Sequence, residues 1–160
     1  MKWQYNDGGR KAAGYKGSTG DCAVRAIAIG TGMSYRETYK LIGTYGASER
    51  RSKRRKSKSH PRTGVYSATF RRVMADLGWK WTPTMFIGSG CKVHMKEDEL
   101  PGGTIIIKVS KHFCAVIDGV VQDTHCDSRN GKRCVYGYWS KGENNELRSE
   151  GNNQVGKGSR

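Results

Sequence analysis

Asp118-Gly119 constrains the chain more than any other pair of residues. It separates two short apolar runs, HFCAVI over 112–117 and VVQDT over 120–124. A type I′ turn needs positive φ at both central positions, which Asp and Gly tolerate, so the pair predicts a two-residue hairpin. The register follows: Ile117 faces Val120, Val116 faces Val121, Ala115 and Cys114 face Gln122 and Asp123, and Phe113 faces Thr124. Upstream, TIIIKV over 104–109 follows a Pro101-Gly102-Gly103 turn and reads as a β-branched strand. Trp79-Lys80-Trp81-Thr82 alternates and reads as another, and residues 134–139 form a further short one.

The N-terminal half has a different period. CAVRAIAI over 22–29 is Ala-rich and ends at Gly30 and Gly32, which predicts a buried helix. Ser34-x-x-Glu37 is a capping box, and Tyr35, Thr38, Tyr39, Leu41 and Ile42 continue at helical spacing, so 34–43 is a second helix. Val65, Ala68, Thr69, Val73 and Leu77 give a third over 65–77, stopped by Gly78. Helices first and an antiparallel meander second predict an α+β fold with segregated halves. The remaining aromatics (Trp79, Trp81, Tyr136, Tyr138, Trp139) belong to core or sheet surface, or line a groove.

The 160 residues suit one domain. No apolar run is long enough to span a membrane, and residues 1–9 lack the apolar stretch of a signal peptide. Five cysteines without a secretion signal predict reduced thiols and a cytoplasmic protein. The formal charge is +15, and it is unevenly placed. Between residues 50 and 62 lie Arg50, Arg51, Lys53, Arg54, Arg55, Lys56, Lys58 and Arg62, with no acidic residue among them. Without these eight charges the formal +15 falls to +7. The run has no apolar period and reads as a flexible basic loop (48–63) inserted in a domain spanning 1–140. It suits contact with nucleic acid or an acidic protein surface, although no aromatic side chain lies within it to stack on bases. Residues 141–160 are polar and predict a disordered tail.

Three residues carry candidate chemistry. Cys22 opens the first helix after Gly20-Asp21, where the helix dipole and free N–H groups favour a thiolate and can hold an oxyanion. Asp21 reads as the helix cap. His112 starts a strand, and Asp123 lies diagonally across the hairpin from it, placed to orient the imidazole; Asp118 and Asp127 are its neighbours in sequence. Nucleophile, base and orienter in that relation suit a thiol hydrolase. Cys91-x-x-His94, His125-Cys126 and Cys134 supply zinc-type ligands, but their spacing is irregular and no Cys-x-x-Cys pair occurs, so neither metal nor cofactor is expected. Cys114 reads as a packed residue of the sheet.

The order Cys22, His112, Asp123 on helix, strand and strand resembles papain-like cysteine peptidases, in particular the C39 group, with its Asp-Cys pair at a helix start and its His-Phe strand. The resemblance implies that Cys22 is the nucleophile, His112 the base and Asp123 the orienter, acting on an amide, isopeptide or thioester bond of a peptide or protein substrate. Wider segments (residues 5–9, 20–28, 88–91, 100–101, 111–112, 115–119 and 136–139) resemble proteins carried by phages and mobile elements, which implies a bacterial host cytosol. One position departs from the papain-like pattern: the Gln about six residues before the nucleophile, whose side chain completes the oxyanion hole, is Lys16 here. Gln4, Asn6, Ser18 and Thr19 are the substitute donors beside the Cys22 backbone. Loss of such a donor lowers rate by about 10²–10³. The alternative is therefore a basic module binding nucleic acid or a host protein on a catalytically weak papain-like scaffold.

Overall fold

The computed structural model describes residues 1–17 and 19–142. In chain order they form β1 (Lys2–Tyr5), α1 (Cys22–Thr31), α2 (Tyr35–Ala47), α3 (Ser67–Asp76), β2 (Trp79–Pro83), β3 (Thr104–Val109), β4 (His112–Ile117), β5 (Val120–Asp123) and β6 (Gly137–Lys141). The strands make one sheet in the order β1-β5-β4-β3-β6-β2. The fold is mixed α+β, as the sequence predicts. β4 and β5 pair through Ala115–Gln122, Val116–Val121 and Ile117–Val120. Asp118 and Gly119 have φ of 47° and 78°, both positive as the tight turn requires. Ser34 and Glu37 form the reciprocal capping box that starts α2.

Two apolar clusters cover the two faces of the sheet. One joins Val24 and Ile27 of α1, Ile42 of α2 and Phe70 and Val73 of α3 to Ile106, Phe113 and Trp139. The other joins Ile105, Ile107 and Val109 to Val116, Val121, Met95, Leu100 and Val135. β3 thus buries both faces, which is why its apolar residues run without alternation. Trp79 and Trp139 are core residues, whereas Tyr136 faces the cleft described below. Cys114 is buried in the sheet as expected.

Three expectations change. β1 pairs in parallel with β5, so the sheet is not purely an antiparallel meander. Its four residues are all exposed, leaving no apolar alternation in the sequence to mark it. α1 continues through Gly30 to Thr31 and ends at Gly32, whose φ is 77°. Gly30 permits close packing, since a Cβ there would lie 2.8 Å from the Ile106 side chain. Cys91 and Cys134 form a disulfide, with Cα atoms 5.9 Å apart, so the thiols are not all reduced. Residues 93–95 run antiparallel to 133–135 through Met95 N–H to Arg133 O and Val135 N–H to Val93 O, each 2.8 Å. That pairing brings together cysteines 43 residues apart. It also removes both thiols from the zinc set, while His94 Nδ1 lies 3.1 Å from Glu99 Oε2. The predicted tail falls, from residue 143 on, outside the described residues.

Among the described residues no helix is long and apolar enough to cross a membrane. The Gly30–Ile106 contact gives a test: Gly30→Ala destabilises the fold by about 1–3 kcal/mol in urea unfolding. Adding Ile106→Val recovers part of that loss, and independent additive effects would refute the contact.

Candidate active site

Cys22, His112 and Asp123 meet because three element boundaries coincide. β4 and β5 are antiparallel neighbours, so the first residue of β4 and the last of β5 share one end of the sheet. α1 packs across β4 with its N-terminus at that end. A diagonal pair across an antiparallel ladder is about 7–8 Å apart at the backbone, within reach of a His and an Asp. His112 Nε2 lies 2.6 Å from Asp123 Oδ2. Cys22 and His112 line a cleft of about 550 Å³ with Gly20, Lys108 and Tyr136. β1 steadies the carboxylate's backbone: Asn6 N–H and Trp3 Nε1–H donate to Asp123 O at 3.0 and 3.2 Å.

Burial alone lowers the His112 pKa, but the hydrogen bond to Asp123, the neighbouring Cys22 and the charges of both raise it from 6.5 to about 9. Burial pushes Asp123 up, yet the His112 hydrogen bond and the His112 and Arg25 charges leave it below the usual carboxylate value. The pair therefore favours imidazolium beside carboxylate.

Arg25 is the residue that sequence reasoning missed. Its Nη2 donates to Asp123 Oδ1 at 3.0 Å, on the carboxylate oxygen that His112 leaves free. Its Nη1 bonds the Asp21 carboxylate one turn back. Asp21 also accepts from Tyr35 Oη at 2.7 Å and pairs with Arg10 Nη1 at 3.3 Å. The Arg25, Asp21 and Asp123 side chains are 6%, 0% and 3% exposed, so these ion pairs are buried. Asp21 occupies the N-cap position but does not cap as expected: its side chain makes no cap hydrogen bond to α1. Its first-turn N–H groups, Cys22 among them, have no intrahelical acceptor by helix geometry. A positively charged residue inside an Ala-rich run, four residues after an Asp, was the available signal.

The oxyanion candidates separate. Gln4 and Asn6 are engaged with the Gln122 side chain, both contacts at 3.2 Å. Ser18 lies outside the described residues. Thr19 keeps its hydroxyl buried with no hydrogen-bond partner among the described residues, three positions before Cys22.

The basic segment divides in two. Residues 50–58 are exposed, and Arg55 lies 4.9 Å from the centre of the Tyr66 ring. Lys58 Nζ and Arg62 Nη2 donate to the backbone oxygens of Ala47 and Lys16, both at 2.6 Å, so two of the eight cations are tied to the fold. Ser59 takes Glu49 Oε2 at its N–H (2.7 Å) and accepts from Tyr66 N–H (2.9 Å). Residues 63–65 then form a wall of the cleft. Gly20 abuts that wall, and a Cβ on it would lie 3.1 Å from the Thr63 carbonyl.

The metal-type donors that the structure gathers are His112, Asp123 and His125, with ligand atoms within 4.8 Å of one another. A zinc ion there would take the imidazole lone pair that a general base needs, so the two uses exclude each other.

Two outcomes follow. His112 has a raised folded-state pKa, so its contribution to stability is complete below 6.5 and lost as pH climbs to about 9. Urea unfolding at stepped pH shows that loss in the native protein, and His112→Asn abolishes it. Arg25→Met removes the buried cation shared by Asp21 and Asp123, leaving Arg10 and His112 as their remaining cationic partners, and costs about 3–5 kcal/mol in the same assay. A cost below about 1 kcal/mol would mean the ion pairs are solvated.

Comparison with protein-family models, curated proteins and solved structures finds no match to this chain.

Proposed function

We propose that the chain is a thiol hydrolase of papain-like architecture, cleaving an amide, isopeptide or thioester bond in a peptide or protein. The observation that carries this reading is the 2.6 Å His112–Asp123 contact in a cleft shared with Cys22. With Nε2 held by Asp123, the proton of Cys22 passes to the other ring nitrogen, Nδ1. Sulfur attacks the carbonyl carbon, and the first-turn N–H groups of α1 stabilise the oxyanion. The tetrahedral adduct collapses, the C–N or C–S bond breaks, and His112 returns the proton to the leaving group. Water then attacks the thioester with His112 as base, releasing the acid and restoring the thiol. Arg25 holds Asp123 by its second oxygen, so the carboxylate keeps its orientation while the imidazole protonates.

The resemblance to C39 peptidases and to phage and mobile-element proteins belongs to the same proposal. A second reading retains support from the exposed cations at 50–56: binding of nucleic acid or an acidic host protein. It is compatible with the first, since the segment returns along the cleft wall.

Alkylation tests the primary reading. Iodoacetamide modifies Cys22 ahead of Cys126, the other free cysteine that is not buried. His112→Ala slows the Cys22 reaction by about 10²-fold, and Asp123→Asn slows it less. Equal Cys22 rates in native and His112→Ala protein would exclude the proposed pair. For the second reading, neutralising residues 50–56 removes salt-sensitive binding to an oligonucleotide, measured by gel shift; unchanged binding would exclude the loop as the contact.

A further inference from the structure

We infer that the cleft takes an acidic peptide, with Lys108 the counter-ion for a carboxylate carried beside the scissile bond. This rests on the thiol-hydrolase reading and names its substrate class.

Lys108 is an unusual residue for its place. It lies in β3, paired with Phe113 of β4 and Gly137 of β6, between Ile107 and Val109, both fully buried. A cation in the middle of a sheet is costly unless something compensates it. Its compensation within the chain is neutral: Nζ donates to Ser67 Oγ and lies 5.6 Å from the centre of the Phe113 ring. Among the described residues it makes no ion pair, and the cleft lining contains no Asp or Glu. Burial, and then the charge of Arg71, weaken its hold on its proton.

Lys111 adds a second cation to the cleft, exposed in the turn between β3 and β4. The exposed cations at 50–56 belong to the segment that leads, in sequence, into the wall at 63–65. A concave surface lined by one sign of charge concentrates ligands of the other. A peptide fits better than a nucleic-acid strand because the cleft offers little for bases to stack on. Phe113 is 6% exposed and stacked on Phe70 at 4.0 Å, which leaves Tyr136 as the partly exposed ring.

The test uses three peptidyl vinyl sulfone probes that alkylate an active-site thiol and differ only in a Glu, Gln or Lys beside the electrophile. Rate constants for Cys22 labelling are read by intact mass. The Glu probe reacts about tenfold faster than the Gln probe, and the Lys probe is slowest. The Glu advantage shrinks as salt rises. Lys108→Met abolishes the advantage, read as the ratio of Glu to Gln rates within the variant, and Lys108→Arg retains it. Lys111→Gln reduces it only partly, because that cation is exposed, and this variant reads the same preference should Lys108→Met fail to fold. Equal Glu and Gln rates with brisk labelling overturn the acidic-substrate inference and leave the hydrolase reading standing. Failure of all three probes, with iodoacetamide rates insensitive to His112→Ala, overturns both. An oligonucleotide that blocks labelling while Glu and Gln rates stay equal assigns these cations to nucleic acid and also overturns the inference.

Discussion

Arg25 joins parts of the chain that lie far apart in sequence. Its guanidinium spans Asp21, immediately before the helix that begins with Cys22, and Asp123, at the end of the strand beside His112. Buried carboxylates need a cation that cannot lose its charge, and Arg meets that demand where Lys would titrate. The consequence runs in two directions. Toward the sheet, the clamp occupies one oxygen of Asp123 and leaves the other for the imidazole. Toward the helix, it holds the Asp21 side chain, which makes no cap hydrogen bond to the first turn of α1. The same ion pairs thus arrange the base and leave open the N–H groups that an oxyanion requires.

The cleft owes its other wall to the segment that the sequence marks as a basic loop. Ser59 is fastened to Glu49 and to the backbone of Tyr66, and Arg62 to Lys16, so the chain returns to the body before reaching Gly64. Gly20 lets this return lie against the residues leading into α1. The +15 charge therefore has two roles in space: exposed cations at the outer part of the loop, and Lys58 and Arg62, whose charges fasten backbone. The cleft cations come instead from β3 (Lys108) and the β3–β4 turn (Lys111) and extend the positive field to the proposed chemistry.

The legible parts of this arrangement are those where local rules act alone. The Asp118-Gly119 turn set the β4–β5 register, and the register placed Asp123 near His112. Ser34 and Glu37 announced α2, and an Ala-rich run closed by Gly30 and Gly32 announced the Cys22 helix. What stayed hidden depends on contacts distant in sequence. β1 carries exposed side chains on every residue and is recognisable only by its pairing with β5. Arg25 reads as an interruption of an apolar helix until Asp123, 98 residues later, is seen beside it. Asp21 satisfies the local rule for a cap, but a buried pairing with Arg25, Tyr35 and Arg10 outweighs a single surface hydrogen bond. The Cys91–Cys134 disulfide needs the antiparallel approach of two loop segments that no local pattern encodes.

The account stands on Cys22, His112 and Asp123 acting as one electrostatic unit. NMR titration of the His112 ring in the folded protein measures this most directly. The account predicts a pKa near 9 in the native chain, with a clear drop in Asp123→Asn and a smaller one in Cys22→Ala. An ordinary imidazole value that neither substitution moves would contradict it.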